Sequence, residues 1–189
     1  MDRQEVLELL QDHRSRFPEE SAYVARARTY LAHQSACFDR RTLPLHVTAS
    51  AWIVSPQRGH VLLLHHRKHG QWFQPGGHID DDASALEAAL REGSEETGVA
   101  GHHLRPVLRG LFDVDIHRIP AHGPEPAHGH IDIRFLLELD HALPIPGNAE
   151  SHDVRWVPLW QVKLFNHSRS AYRMVEKTRR LRGSHVSAR

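Results

Sequence analysis

The spacing of apolar residues in 2–33 predicts two consecutive helices separated at Pro18. The first carries an apolar stripe that begins at Val6 and ends at Leu10. The second begins at Pro18, because proline suits the first turn of a helix and acidic residues follow it. We expect a helical hairpin that packs on the main body of the chain or on a second subunit.

From Val47 onward the pattern is typical of strands. Segments 47–54 and 61–67 flank a turn at 55–59, which predicts a hairpin. The apolar run that opens the second segment indicates a strand buried on both faces. Further strands are predicted at 107–117, 131–139 and 154–157, with a loop rich in Pro, Gly and His at 120–129.

Helical patterns return in the middle and at the end of the chain. A turn-rich loop at 71–82 precedes a predicted helix at 83–97, and Gly98 is placed to end that helix. A short helix is predicted from 159 and a basic helix at 170–181. The order of elements indicates an α+β or mixed α/β fold with a helical N-terminal extension.

Composition excludes several classes of protein. The 189 residues are 40 % hydrophobic and 25 % charged, which is ordinary globular usage. A formal net charge of +1 gives no reason to expect stable nucleic-acid binding. We also expect no membrane segment and no secretory signal. The single cysteine, Cys37, cannot form an internal disulfide, so a cytoplasmic location is predicted.

Three glutamates crowd the C-terminal half of the helix predicted at 83–97. Glu92 and Glu96 share one face, and Glu95 lies beside them. Their mutual repulsion, and the negative end of the helix dipole, disfavour this arrangement in the absence of a cation. A solvated acidic face is the alternative interpretation. The preceding Gly76-Gly77 pair favours a magnesium–diphosphate site, since glycine lets a phosphate or metal approach the backbone.

The spacing of these residues resembles the Nudix box. That box consists of Gly, five residues, Glu, seven residues, Arg-Glu, an aliphatic residue, any residue, Glu-Glu, any residue, Gly and an aliphatic residue. The matching positions are Gly77, Arg91, Glu92, Glu95, Glu96, Gly98 and Val99. The approach loop at 72–77 and the segment at 155–159 also resemble Nudix proteins, so the resemblance covers residues 46 to about 180.

Two positions depart from the box. Ala83 stands where the family has a glutamate that braces the box arginine. Either Asp82, one residue earlier, pairs with Arg91 instead, or the brace is absent. Gly93 stands where an aliphatic residue is expected, which costs about 1 kcal/mol of helix stability relative to alanine and can mark a close packing contact. Neither change removes a carboxylate, so we expect the metal site to survive.

The resemblance implies a Nudix-type α/β/α sandwich with a mixed sheet at 46–182, after a helical extension at 1–45 and before a frayed tail at 183–189. It also implies hydrolysis of a diphosphate bond in a nucleoside diphosphate linked to another moiety, with Mg²⁺ or Mn²⁺ as cofactor. The implied metal-ligand set is Gly77, Glu92, Glu95 and Glu96. The catalytic candidates are Glu92, Glu95 and, on a later loop, Glu150.

Candidates for substrate binding lie around the box. Arg67 and Lys68 follow an apolar strand and suit phosphate oxygens, although a solvated strand end would look the same. His78 follows the glycine pair, and Arg91 belongs to the box itself. Asp132 and Arg134 share one face of a strand, where either a substrate-facing pair or an internal ion pair fits. These two complete the predicted substrate-binding set.

Three functional hypotheses follow. The first is a Nudix-type hydrolase, and the second is a Nudix-fold module that binds a nucleotide derivative without turnover. The third is a histidine-rich metal carrier, because the chain has 18 histidines and His128 and His130 are spaced as a chelating pair. We favour a loop or strand-end role for that pair, since it lacks further ligands at zinc-type spacing. The substrate and the oligomeric state, including a homodimer, are left open.

Overall fold

The computed structural model describes residues 1–68, 70–79, 81–149 and 151–183. The helices are α1 (Arg3–Asp12), α2 (Pro18–His33), α3 (Ala85–Thr97), α4 (Val162–Phe165) and α5 (Arg169–Gly183), and a 3₁₀ turn spans Gly101–His103. The strands are β1 (Leu45–Val54), β2 (His60–His66), β3 (Gln71–Phe73), β4 (Gly76–His78), β5 (Arg105–Pro106), β6 (Asp113–Ile119), β7 (His128–Glu138) and β8 (Ser151–Pro158).

One mixed sheet contains all eight strands of the described residues. β1 lies at its centre and pairs in parallel with β7, from Leu45 opposite Gly129 to Val54 opposite Glu138. The same strand pairs antiparallel with β4 and with β2. β8 completes the β2 side, and β6 pairs antiparallel with β7. The parallel pairing of β1 and β7 brings together the starts of two strands that are far apart in sequence.

Helices cover both faces of this sheet. Val47, Ala49, Ala51 and Ile53 alternate along β1 and belong to a core that includes buried residues of α1, α2 and α3. Trp52, on the other face, belongs to a second core with buried residues of α4 and α5. The alternation of side chains along a strand divides the two cores. The α/β/α sandwich with a mixed sheet is therefore confirmed.

Two local predictions were wrong. The predicted loop at 71–82 contains β3 and β4, because Gly76–His78 pairs with Thr48–Ser50 of β1 over a stretch too short to show alternation. The predicted strand at 107–117 begins only at Asp113. The amides of Val107 and Phe112 both donate to carbonyls of β7 only two residues apart, so the chain between them bulges away from the ladder.

The N-terminal helices pack on the body of their own chain. Val6, Leu10, Ala27 and Leu31 are fully buried in the same core as Val47. This arrangement agrees with the first of the two packing alternatives for the hairpin. The predicted tail at 183–189 lies, apart from Gly183, outside the described residues. No helix in the described part of the chain is both long and apolar enough to cross a bilayer.

A buried ionic network joins α2, β6 and α5. The carboxylate of Glu20 accepts a hydrogen bond from Lys177 and lies 2.8 Å from Nε2 of His13. Asp113 is bound by Arg173 at 2.8 Å and by Lys177 at 2.7 Å. Burial raises the pKa of Glu20, but the hydrogen bonds from His13 and Lys177 outweigh burial and lower this pKa to about 2.

Candidate active site

The box helix α3 has well-defined ends. The Ser84 side chain caps its N-terminus by accepting from the amide of Glu87. Gly98 ends the helix in the left-handed conformation, with φ of 70°, as predicted. Gly93 faces the sheet: a Cβ there would lie 3.1 Å from Cδ1 of Leu104. The predicted close packing at Gly93 is confirmed, and it explains why an aliphatic side chain is absent.

Asp82 braces Arg91. Nε of Arg91 lies 3.1 and 3.2 Å from the two carboxylate oxygens of Asp82, and Nη2 lies 2.9 Å from Oδ2. Hydrogen bonding to Asp82 raises the pKa of Arg91, and Glu92 adds to the effect. The prediction that Asp82 replaces the glutamate missing at Ala83 is confirmed.

Arg91 also connects the acidic residues of the box to β4. Its Nη1 donates to Glu92 at 2.9 Å and to Glu95 at 3.2 Å. Its Nη2 donates to the carbonyl of His78 at 3.0 Å. The guanidinium is thus engaged with protein groups on several sides. Arg91 positions the box in this structure, and its predicted role in substrate binding remains a prediction.

Glu92 and Glu96 lie against the Gly76-Gly77 pair of β4. Oε2 of Glu96 accepts from the amide of Gly76 at 2.8 Å, and Glu96 is only 6 % exposed. A Cβ at Gly77 would lie 2.5 Å from Oε1 of Glu92. The second glycine therefore lets the backbone of β4 approach a carboxylate closely.

The donors here are of the kind that a hard divalent cation takes. They are carboxylate oxygens on one helix face beside a closely approaching backbone, and Mg²⁺ commonly takes one or two carboxylates and completes its shell with water and phosphate. Glu95 differs from its neighbours because its side chain is 57 % exposed. This places Glu95 at the solvent side of the group.

Three further predicted site residues are Arg67, Lys68 and Glu150. Arg67 is exposed and donates to the carbonyl of Ser151 at 3.1 Å, and Lys68 is exposed and pairs with Glu125 at 3.1 Å. Glu150 lies outside the described residues. The loop that leads to it reaches the end of α3, because the amide of Gly147 donates to the carbonyl of Thr97 at 2.9 Å.

Asp132 and Arg134 are buried and pair with each other. Nε of Arg134 lies 2.6 Å from Oδ2 of Asp132, and Arg134 is 3 % exposed. Nη1 of Arg134 also contacts Asp113 at 3.1 Å, and Ser50 donates to Asp132 at 2.7 Å. The prediction of a substrate-facing pair is therefore corrected to the internal ion pair, because protein partners on buried strands occupy these groups.

The side chain of His78 lies in a group of histidines. Its ring centroid is 5.1 Å from that of His46 and 5.4 Å from that of His130. The sequence analysis identified His130, with His128, as a possible chelating pair, but it did not include His46. The signal that could have linked them is the parallel pairing of β1 with β7, which no local pattern reveals.

Comparison with known proteins identifies the class. Residues 44–178 match the model of the NUDIX domain, so the chain belongs to the Nudix family. A probable DHNTP pyrophosphohydrolase of Lactococcus lactis is 33 % identical over 98 residues, which cover 51 % of this chain and 55 % of that protein. Phosphatase NudJ of Escherichia coli K12 is 34 % identical over 89 residues, covering 39 % and 57 % respectively. The chain thus spans little more than half the length of these curated relatives.

A solved structure shows the same fold. The Ap4A hydrolase of C. elegans, in a binary complex, superposes with a TM-score of 0.60 at 20 % identity. The match covers 73 % of this chain and 98 % of that one. The similarity confirms the architecture of the Nudix domain. In this chain, α1 and α2 lie before residue 44, where the matched family region begins.

Proposed function

We propose that this chain hydrolyses a diphosphate bond in a nucleoside diphosphate linked to another moiety, with Mg²⁺ or Mn²⁺ as cofactor. The observation that carries the proposal is the approach of Glu92 and Glu96 to the Gly76-Gly77 backbone. The names of the family relatives, which are a pyrophosphohydrolase and a phosphatase, support the same class of reaction.

The residues of the box have different roles in the proposed reaction. Glu92, Glu96 and the carbonyl of Gly77 would hold the cation, and Glu95, which is 57 % exposed, would contribute through water. A bound divalent cation neutralises charge on the diphosphate and lowers the pKa of an attacking water. Glu92, Glu95 and Glu150 are the candidates for the base that accepts the proton of that water.

Substrate binding involves residues beside this group. Arg67 and Lys68 are exposed cations that suit phosphate oxygens, and Lys68 would have to exchange Glu125 for substrate. Asp82 holds the guanidinium of Arg91 in place, and Arg91 in turn donates hydrogen bonds to Glu92 and Glu95. The homodimer, the cytoplasmic location and the absence of stable nucleic-acid binding stay predictions from the sequence.

The binding module without turnover is less well supported. The departure at Ala83 is the observation that favours it, because a box without a braced arginine is a candidate for loss of activity. Asp82 supplies that brace. The ion pairs of Arg91 with Asp82, Glu92 and Glu95 favour catalysis.

A panel of substrates tests the proposal. The full chain is incubated with Mg²⁺ or Mn²⁺ and with nucleoside diphosphate sugars, dinucleoside polyphosphates, nucleotide cofactors, dihydroneopterin triphosphate and nucleoside triphosphates, and phosphate-containing products are measured. We expect metal-dependent cleavage of at least one class. Saturable binding of a nucleotide derivative without any product would support the binding module instead.

A further inference from the structure

Three histidines from three different strands meet at one end of the sheet. His46 lies on β1, His78 on β4 and His130 on β7. Their candidate ligand nitrogens all lie within 4.8 Å of one another. Within the described ranges, this is the one group of three or more His, Cys, Asp or Glu side chains that meets this distance. We call it the histidine cluster.

The register of the sheet brings the three histidines together. His46 is directly opposite His130 in the parallel β1–β7 pair. Thr48, which is on the same face of β1 as His46, is opposite His78 in β4. Three imidazoles on neighbouring strands therefore project from one face of a rigid sheet, which is a better platform for a ligand site than a loop.

His46 has a buried ring nitrogen that accepts no hydrogen bond in the described residues. Its Nδ1 lies 3.3 Å from the carbonyl of Thr42, which can only accept, so Nδ1 holds the proton and Nε2 carries a lone pair. His46 is fully buried, and its Nε2 has no hydrogen-bond partner in the described residues. A buried acceptor that lacks a hydrogen bond destabilises the fold, so the position favours an occupant.

His128 extends the cluster in the same way. Its Nδ1 lies 2.8 Å from the carbonyl of Pro126, which directs the lone pair of Nε2 toward Nε2 of His130 at 3.2 Å. Metal-binding histidines commonly donate their other ring N–H to a backbone carbonyl, which fixes the ring and its tautomer. Both His46 and His128 have this arrangement.

The pKa values of two rings in the cluster are lowered. Burial lowers the pKa of His46, and the neighbouring His128 adds to the effect. Burial and the neighbouring His117, His46 and His78 lower the pKa of His130 to about 2. Neutral imidazole is the form that binds metals.

We propose that His46, His78 and His130 form a binding site for a transition-metal ion, best suited to Zn²⁺, that is distinct from the carboxylate group of the box. Imidazole nitrogen is a preferred ligand of zinc, whereas the oxygen donors of the box suit magnesium. Zinc–nitrogen bonds of about 2.0–2.1 Å require ligand nitrogens about 3.4 Å apart in a tetrahedron. The candidate nitrogens, which all lie within 4.8 Å of one another, would have to move closer together to reach that value.

The fourth position is available to His128 or to water. His128 is the first residue of β7, two positions before His130, and its Nε2 lies 3.2 Å from Nε2 of His130. His78 directly follows Gly77, which approaches Glu92. A metal at the histidine cluster therefore anchors the strand that contacts the box carboxylates and stabilises it from the opposite side of the sheet.

Zinc binding by the full chain tests this assignment. Protein stripped with a chelator is titrated with Zn²⁺ alone by calorimetry, and bound zinc is measured by elemental analysis after dialysis. We expect about one equivalent that binds at least about 30-fold more weakly in His130→Gln and in His46→Gln. Substitution with Co²⁺ gives the wild-type protein the d–d absorption of a low-symmetry site, and both variants lose it.

Two matched variants separate this site from other ligands. Glu92→Gln/Glu96→Gln removes the box carboxylates, and His102→Ala/His103→Ala removes an exposed pair whose ring centroids are 4.0 Å apart. Both should retain the wild-type zinc affinity. The proposal is overturned if the wild type binds no stoichiometric zinc, if His130→Gln binds zinc as tightly as the wild type, or if the box variant abolishes binding. An ordered water bridging the imidazoles would then explain the cluster.

Discussion

The carboxylate of Glu96 accepts a hydrogen bond from the backbone amide of Gly76 across 2.8 Å, although the two residues are 20 positions apart. This bond ties the C-terminal half of α3 to β4, which pairs in turn with β1 at the centre of the sheet. The acidic group of the box is therefore fixed to the most buried strand of the molecule. Such fixation is what a site needs to hold a cation and a diphosphate in one geometry.

Gly77 is expected to control the position of Glu92. In Gly77→Ala the added Cβ would fall 2.5 Å from Oε1 of Glu92, so the carboxylate must move. Because the displaced atoms end a flexible side chain, we expect stability to change little while kcat/KM falls at least about tenfold. Gly110→Ala is the matched control, since nothing lies within 4 Å of its Cβ. Full activity in Gly77→Ala would contradict this view of the glycine.

Asp82 is expected to position Arg91. Asp82→Ala leaves the guanidinium without its bidentate partner, and we expect a fall of about tenfold in kcat and about 1–3 kcal/mol in the free energy of unfolding. Adding Ala83→Glu to this variant restores a carboxylate at the position where the family has one, so activity should recover. Asp81→Ala, on an exposed neighbour, should leave both quantities unchanged. Wild-type activity and stability in Asp82→Ala would show that no brace is needed.

Glu20 is expected to make stability depend on acid pH. Its pKa is about 2 in the folded protein and 4.5 in the unfolded reference, so the unfolded chain takes up the proton first as the pH falls. The contribution, on the order of 3 kcal/mol, is complete above pH 4.5 and is lost as the pH falls toward 2. Denaturant unfolding between pH 7 and 2 measures it. Glu20→Gln should be less stable at neutral pH and should show a flatter dependence; an unchanged slope would refute the assignment.

The sequence predicted well those features that depend on local pattern. The helix α3, its end at Gly98 and the pairing of Asp82 with Arg91 all follow from residues within one short segment. The strand predicted at 47–54 also corresponds to β1, because a strand pattern depends only on neighbouring residues. The packing of Gly93 against Leu104 was expected as a close contact, although not with that partner.

Features that depend on distant pairing were missed. The three-residue strand β4 exists because β1 lies beside it, and so it was taken for part of a loop. The histidine cluster needs the parallel register of β1 and β7, which brings His46 opposite His130. For Asp132 and Arg134 the sequence left both a substrate-facing pair and an internal ion pair open, because it does not show that Asp113 and Ser50 would surround them.

The most direct test of the central claim compares Glu96→Gln with Glu87→Gln on the substrate that the panel identifies. Both residues lie on α3, but Glu87 is exposed in the first turn, whereas Glu96 is buried against Gly76. Metal-dependent turnover should fall at least about 100-fold in Glu96→Gln, with an unchanged circular dichroism spectrum, and should stay at the wild-type level in Glu87→Gln. Wild-type turnover in a folded Glu96→Gln protein would contradict the assignment of the box carboxylates to catalysis.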